Sequence, residues 1–120
     1  MAETKPWPTE LRLSRDKRTL TVSFDDGREF AIAAEMLRVL SPSAEVQGHS
    51  PEQRKTVAGK AAVEVAAIQP IGRYAVRLTF SDGHNTGIFT WDYLRKLGDE
   101  REALWAEYVA ELAAKGLSRG

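Results

Sequence analysis

There is no cysteine in this chain, and that absence removes four chemistries together: disulfide cross-links, thiolate metal sites, cysteine-ligated iron–sulfur clusters and a cysteine nucleophile. Net charge is missing as well. Seventeen Lys and Arg balance seventeen Asp and Glu, so no surplus of cations draws the protein onto phosphate backbones, and nucleic acid is not expected as a partner. No apolar run approaches the roughly 20 residues that cross a bilayer, and the opening MAETKPWPTE has neither the basic nor the apolar region of a signal peptide. No membrane partner and a cytoplasmic location are expected. Histidine is scarce: there are two, His49 and His84, so any imidazole chemistry must draw on them.

What is present fits an ordinary globular domain. Hydrophobic residues make up 42% and charged residues 28% of the chain, close to the averages for soluble domains. A chain of 120 residues suits a single domain over 1–120, burying roughly two-thirds of the surface its unfolded form exposes. Pro6 and Pro8 flank Trp7 and favour an extended start that the tryptophan pins to the core. From Leu11 the pattern is strand-like, with Leu20, Val22 and Phe24 on one face. Asp26-Gly27 offers the positive-φ pair of a type I′ hairpin, and Phe30 and Ile32 return on the next strand. AAEMLRVL is rich in helix formers. Residues 41–62 carry Ser, Pro, Gly and charge without periodicity and read as a long exposed loop, which in a compact domain is usually functional or mobile.

Two strands follow around residues 70–72, the second alternating Tyr74, Val76, Leu78 and Phe80. Asp82-Gly83 repeats the hairpin turn chemistry. Thr90 is placed to cap a helix WDYLRKL, with Gly98 at its left-handed end. Asp99 and Glu102 have capping-box spacing for a C-terminal helix over 99–115. There Leu104, Tyr108 and Leu112 share a stripe flanked by Trp105 and Val109, Gly116 stops the helix, and LSRG frays. The halves also echo one another: VSFDDGREFAIAAEMLRVL and LTFSDGHNTGIFTWDYLRKL share Phe, two residues, Gly, and then Leu-Arg-x-Leu. The expected fold is α+β, a mainly antiparallel sheet built from two β-hairpin-plus-helix units, with a C-terminal helix.

LRVLSPSAEVQGH, IGRYAVRLTFSDGHNTGIFTWDYL and the initial WP resemble the gamma-butyrobetaine hydroxylase-like N-terminal domain family over about residues 7–97. The resemblance implies a compact α+β module, one that stands alone in many bacteria, precedes the catalytic barrel of gamma-butyrobetaine and trimethyllysine dioxygenases, and is appended to some iron–sulfur carrier ATPases. It does not imply hydroxylase activity, because the iron- and oxoglutarate-binding barrel is a separate domain. In the eukaryotic dioxygenases the module holds a structural zinc through C-x-C-x-x-C and a distant histidine. Carried over, those positions fall on Ser41, Ser43, Val46 and His84. Three of the four ligands are absent, so the chain is expected to fold without that zinc.

The remaining chemistry is weighed residue by residue. His49, Asp82 and His84 would supply two imidazoles and a carboxylate, the ligand set of an open iron or zinc centre; the competing reading makes Asp82 a turn residue and His84 a hairpin histidine bonded to a carbonyl or water. Ser41, Ser43, Ser50 and Ser81 include no G-x-S-x-G elbow and read as cap and turn residues. The carboxylate pairs Asp25/Asp26 and Glu100/Glu102 read as solvated. GHSPEQRKTVAGK is not a phosphate loop, since Ala61 follows Lys60. Trp91, Tyr93 and Trp105 are either interface anchors or core. The leading expectation is a non-catalytic accessory module with a protein partner and no cofactor. Its binding surface comprises Arg38, Gln47, His49, Arg54, Asp82, His84 and Thr86. The alternative is a metal-binding protein using His84 and His49 with zinc or iron, linked to iron–sulfur or iron-enzyme maturation.

Overall fold

The computed structural model describes residues 6–48 and 55–120. Strands β1 (Pro8–Leu13), β2 (Thr19–Phe24) and β3 (Glu29–Ala33) lead into helix α1 (Ala34–Val39) and the single turn α2 (Ala44–Gln47). Strands β4 (Val65–Ile71), β5 (Ala75–Phe80) and β6 (Ile88–Thr90) lead into α3 (Trp91–Asp99) and α4 (Arg101–Ala114). All strand pairs are antiparallel. They form two three-stranded sheets, ordered β1-β2-β3 and β4-β5-β6. The α+β class and the paired hairpin-plus-helix units are as expected, with one small sheet per unit.

Period-two patterning explains why these segments are strands. Along β2, Leu20, Val22 and Phe24 are buried while Thr19, Thr21 and Ser23 are half-buried; register pairs Leu20 with Ile32 and Val22 with Phe30. A one-residue slip would turn this apolar set outward, which fixes the pairing. In the second sheet Val76, Leu78 and Phe80 are buried, and Phe89 pairs with Val76. Both faces meet one core, to which α1 brings Met36 and Leu37 and α3 brings Leu94 and Leu97. Each of these leucines is fully buried, contributing about 1.5–3 kcal/mol relative to exposure. Val39, Tyr108 and Leu112 make a satellite cluster that holds α4.

Several local expectations are corrected. Neither Asp-Gly turn is type I′, because only the glycines have positive φ, 85° at Gly27 and 91° at Gly83. In each, the glycine N–H donates to the preceding phenylalanine carbonyl, and the phenylalanine N–H donates to the residue after the glycine, Arg28 or His84. This is the three-residue loop with a left-handed glycine. Asp26 and Asp82 instead accept from the N–H two residues on, an Asx turn. Gly98 lies within α3 and does not terminate it in a left-handed conformation: a Cβ there would fall 2.5 Å from the Phe30 ring, so the glycine permits close helix–strand packing.

Thr90 does cap α3, accepting from the Tyr93 N–H at 3.1 Å, but Asp99 caps nothing. Its carboxylate binds Arg95, and α4 begins at Arg101 without a side-chain cap. Tyr74 leaves the strand face and is 56% exposed. Trp91, Tyr93 and Trp105 pack against the core, whereas Trp7 is half exposed and meets Trp91 edge-on at 6.3 Å. The 41–62 segment is not wholly exposed, since Ser41, Ser43 and Val46 are buried. Gly116 stops α4 with φ 66°, yet the tail beyond it is bound, with Arg119 forming a two-point ion pair to buried Glu35 at 2.8 and 2.9 Å. Among the described residues, no helix is long and apolar enough to cross a membrane.

Candidate functional site

The residues at the end of α1 and the tip of the β5–β6 hairpin form one polar cluster. Tyr93 fixes the end of α1 by donating its hydroxyl to the Leu40 carbonyl. The chain then folds back, and Gln47 Nε2 closes it onto the Ser41 carbonyl at 3.0 Å. Ser41 is fully buried and Ser43 nearly so. Their hydroxyls lie 3.0 and 3.4 Å from Nε2 of His84, whose own exposure is 7%. One of these groups donates and another accepts whichever ring nitrogen carries the proton. Gly87 makes this approach possible, because a Cβ there would stand 2.2 Å from Ser41 Oγ.

Asp82 is the centre of the charged half. Its carboxylate takes Lys60 Nζ at 2.6 Å and Arg38 Nε at 2.8 Å, and its other oxygen accepts from the His84 N–H at 3.1 Å. Partial burial pushes its pKa up, but the Lys60 ammonium, the His84 N–H and the Arg38 guanidinium outweigh that and hold it at about 2 against an ordinary 3.8. Two cations thus share one anion, and Arg38 Nη1 is buried without a hydrogen-bond partner. This cluster ties together three stretches distant in sequence: α1, the segment around Lys60, and the hairpin.

Of the expected surface residues, Arg38, Gln47, Asp82 and His84 are brought together, and Thr86 is exposed on the same hairpin loop. His49 and Arg54 lie outside the described residues. Lys60 is the member that sequence reasoning missed, for no local pattern links it to a turn 22 residues away. The hydroxyl–imidazole contacts leave no accessible nucleophile, since both serines are buried. Among the described residues, no group of three or more His, Asp or Glu is arranged to hold a metal. The positions onto which the family resemblance carries zinc ligands, Ser41, Ser43, Val46 and His84, would offer one imidazole, two hydroxyls and an aliphatic side chain, a donor set that does not fit tetrahedral zinc.

The reciprocal position in the first unit shows what the echo means. Asp26, in the first turn, pairs with Arg95 of α3 at 2.8 Å, while Asp82, in the second turn, pairs with Arg38 of α1. Each Leu-Arg helix therefore clamps the turn of the other unit. Arg95 also lies over Phe24 and Phe30 at 5.1 and 5.4 Å, and its Nη1, like that of Arg38, is buried and unpartnered.

A two-sheet α+β module with a crossed pair of Arg–Asp clamps is the class that fold and site define. Residues 11–95 match the model of the family "Gamma-butyrobetaine hydroxylase-like, N-terminal", and the chain belongs to that family. Two NMR solution structures are each 44% identical to this chain, with a TM-score of 0.82. One alignment covers 97% of this chain and 91% of the neighbour; the other covers 99% and 90%. A crystal structure of a protein of unknown function, of the DUF971 family from Acidithiobacillus ferrooxidans, is 42% identical with a TM-score of 0.67, covering 79% of this chain and 98% of that one. No curated protein matches the chain.

Proposed function

We propose that the chain is a non-catalytic protein-interaction module that docks a partner on the face shared by residues 41–48 and the 82–86 hairpin. The observation that carries this is the spending of the cluster's reactive groups on position: His84 on Ser41 and Ser43, Asp82 on Arg38 and Lys60. Such a network exposes no nucleophile or base. It does hold three chain segments in one arrangement, and a pre-ordered surface binds with less entropic loss. The partner chemistry it favours is acidic, because the cations Arg38 and Lys60 outnumber Asp82 in the cluster.

The test is affinity capture followed by mapping. A partner identified with the wild-type protein is titrated into labelled protein, and backbone shifts are followed. Perturbations at 41–48 and 82–86, with at least tenfold weaker binding of Arg38→Ala/Lys60→Ala, support the reading. Perturbations confined to α4, or unchanged affinity of the double variant, refute it. Turnover of any substrate by the isolated protein, lost on Ser41→Ala, would also overturn the non-catalytic assignment.

A further inference from the structure

The C-terminal residues reach the cluster indirectly. Gly116 takes a left-handed conformation, and Leu117 N–H closes onto the Leu112 carbonyl at 2.9 Å, the Schellman arrangement that turns a chain back along its helix. The returning residues pair with the segment before β4: Gly59 N–H donates to the Ser118 carbonyl and Ala61 N–H to the Arg119 carbonyl, both at 2.9 Å. Lys60 lies between those two rungs and reaches Asp82. Arg119 is anchored by Glu35, which is 5% exposed, and lies over the Trp105 ring at 5.2 Å.

We propose that residues 117–120 are a releasable strap that sets the charge of the docking face by holding Lys60 on Asp82. Release lets Lys60 withdraw, leaving Asp82 with Arg38 as its charged partner and making the face less positive. The assignment of the face to partner binding rests on the function proposed above; the strap itself is an intramolecular coupling and stands without it. Residues 113–120 are all exposed, and the apolar member of the strap, Leu117, is 41% exposed. Among the described residues the strap is held by one ion pair, one ring contact, the Leu117–Leu112 backbone bond and the two rungs, with no apolar side chain of its own buried in the core. Segments secured this way open locally, well before the domain unfolds. The preceding stretch is held independently, by Tyr108 on the Val57 carbonyl and Lys115 on Thr56, so opening is confined to the residues around Lys60.

The decisive variant is Arg119→Ala combined with Glu35→Gln, which removes the anchor without stranding a buried charge. Amide hydrogen exchange at Gly59 and Ala61 and the NMR titration midpoint of the Asp82 carboxyl are measured in wild type, the double variant and Lys60→Ala. Exchange at both amides at least about tenfold faster, with the Asp82 midpoint raised in the double variant as in Lys60→Ala, is the expected result. Unchanged exchange overturns the strap. Faster exchange with the midpoint still at its wild-type value overturns the coupling, and acceleration spread equally over β2 and β5 shows general loosening and refutes a local device. None of these readouts uses a partner, so failure here is distinct from failure of the docking assignment.

Discussion

Replacing Asp82 by Asn isolates the charge of the cluster. The amide keeps an acceptor for the His84 N–H and retains the turn, but gives Lys60 and Arg38 no anion. The carboxyl is held at about 2 from an ordinary 3.8. At about 1.4 kcal/mol per pKa unit, this gives an upper bound of roughly 2.5 kcal/mol. The side chain is 21% exposed, so solvent screening brings the expected loss at pH 7 to on the order of 1–2 kcal/mol. Because the folded-state pKa is depressed, the contribution is complete above about pH 4 and disappears as pH falls through about 2. Urea unfolding of wild type and Asp82→Asn at pH 7, 4 and 2 reads this directly: a gap at the first two, closing at the third. Equal stability at pH 7 refutes the ion-pair account, and a gap that persists undiminished at pH 2 assigns the loss to shape rather than charge.

Other consequences follow from the packing. Gly98→Ala drives a methyl into the Phe30 ring and is expected to cost about 1–3 kcal/mol, seen as a lower melting temperature; an unchanged melt means that the ring yields freely. Gly87→Ala displaces Ser41 from His84, and combining it with Ser41→Ala recovers part of the lost stability, whereas strictly additive losses contradict the clash. Thr90→Ala removes the α3 cap at a cost of about 1 kcal/mol, measured by denaturant titration. Chelator leaves the melting temperature unchanged, and near-stoichiometric zinc in protein purified without a tag disproves the hydroxyl–imidazole account of this cluster.

How much was legible depended on whether the signal was local. Alternation at Leu20, Val22 and Phe24 revealed β2, and Thr90 announced α3, because each pattern acts over a few residues. Asp-Gly marks where both turns lie but not their type, since it suits both the two-residue loop and the three-residue loop with a left-handed glycine. Asp99 resembled a cap but was claimed by Arg95, an i,i+4 ion pair that competes for the same carboxylate. Gly98 resembled a helix end because a glycine kept for close packing and one kept for positive φ look alike in sequence. Nothing local marks the tail as bound, because Glu35, its partner, lies 84 positions earlier. Lys60 escaped notice for the same reason.

The crossed clamps explain why the site lies where it does. Two units with the same turn and the same Leu-Arg helix, each arginine serving the other's aspartate, make a nearly even exchange. The exchange is uneven in what surrounds each turn. Beside Asp26 stands Arg28, an exposed cation whose guanidinium is directed to Asp99 at 3.8 Å. In the corresponding place beside Asp82 stands His84, buried on two serines, and Asp82 receives Lys60 as a second cation. In the first clamp Arg95 joins the turn to α3 and lies over Phe24 and Phe30. The second recruits two further stretches of chain, 41–48 and 59–61, whose polar side chains Ser41, Ser43 and Lys60 lie outside the apolar core clusters. Side chains that add ordering cost beyond what the fold needs mark the half of the molecule where function is to be sought.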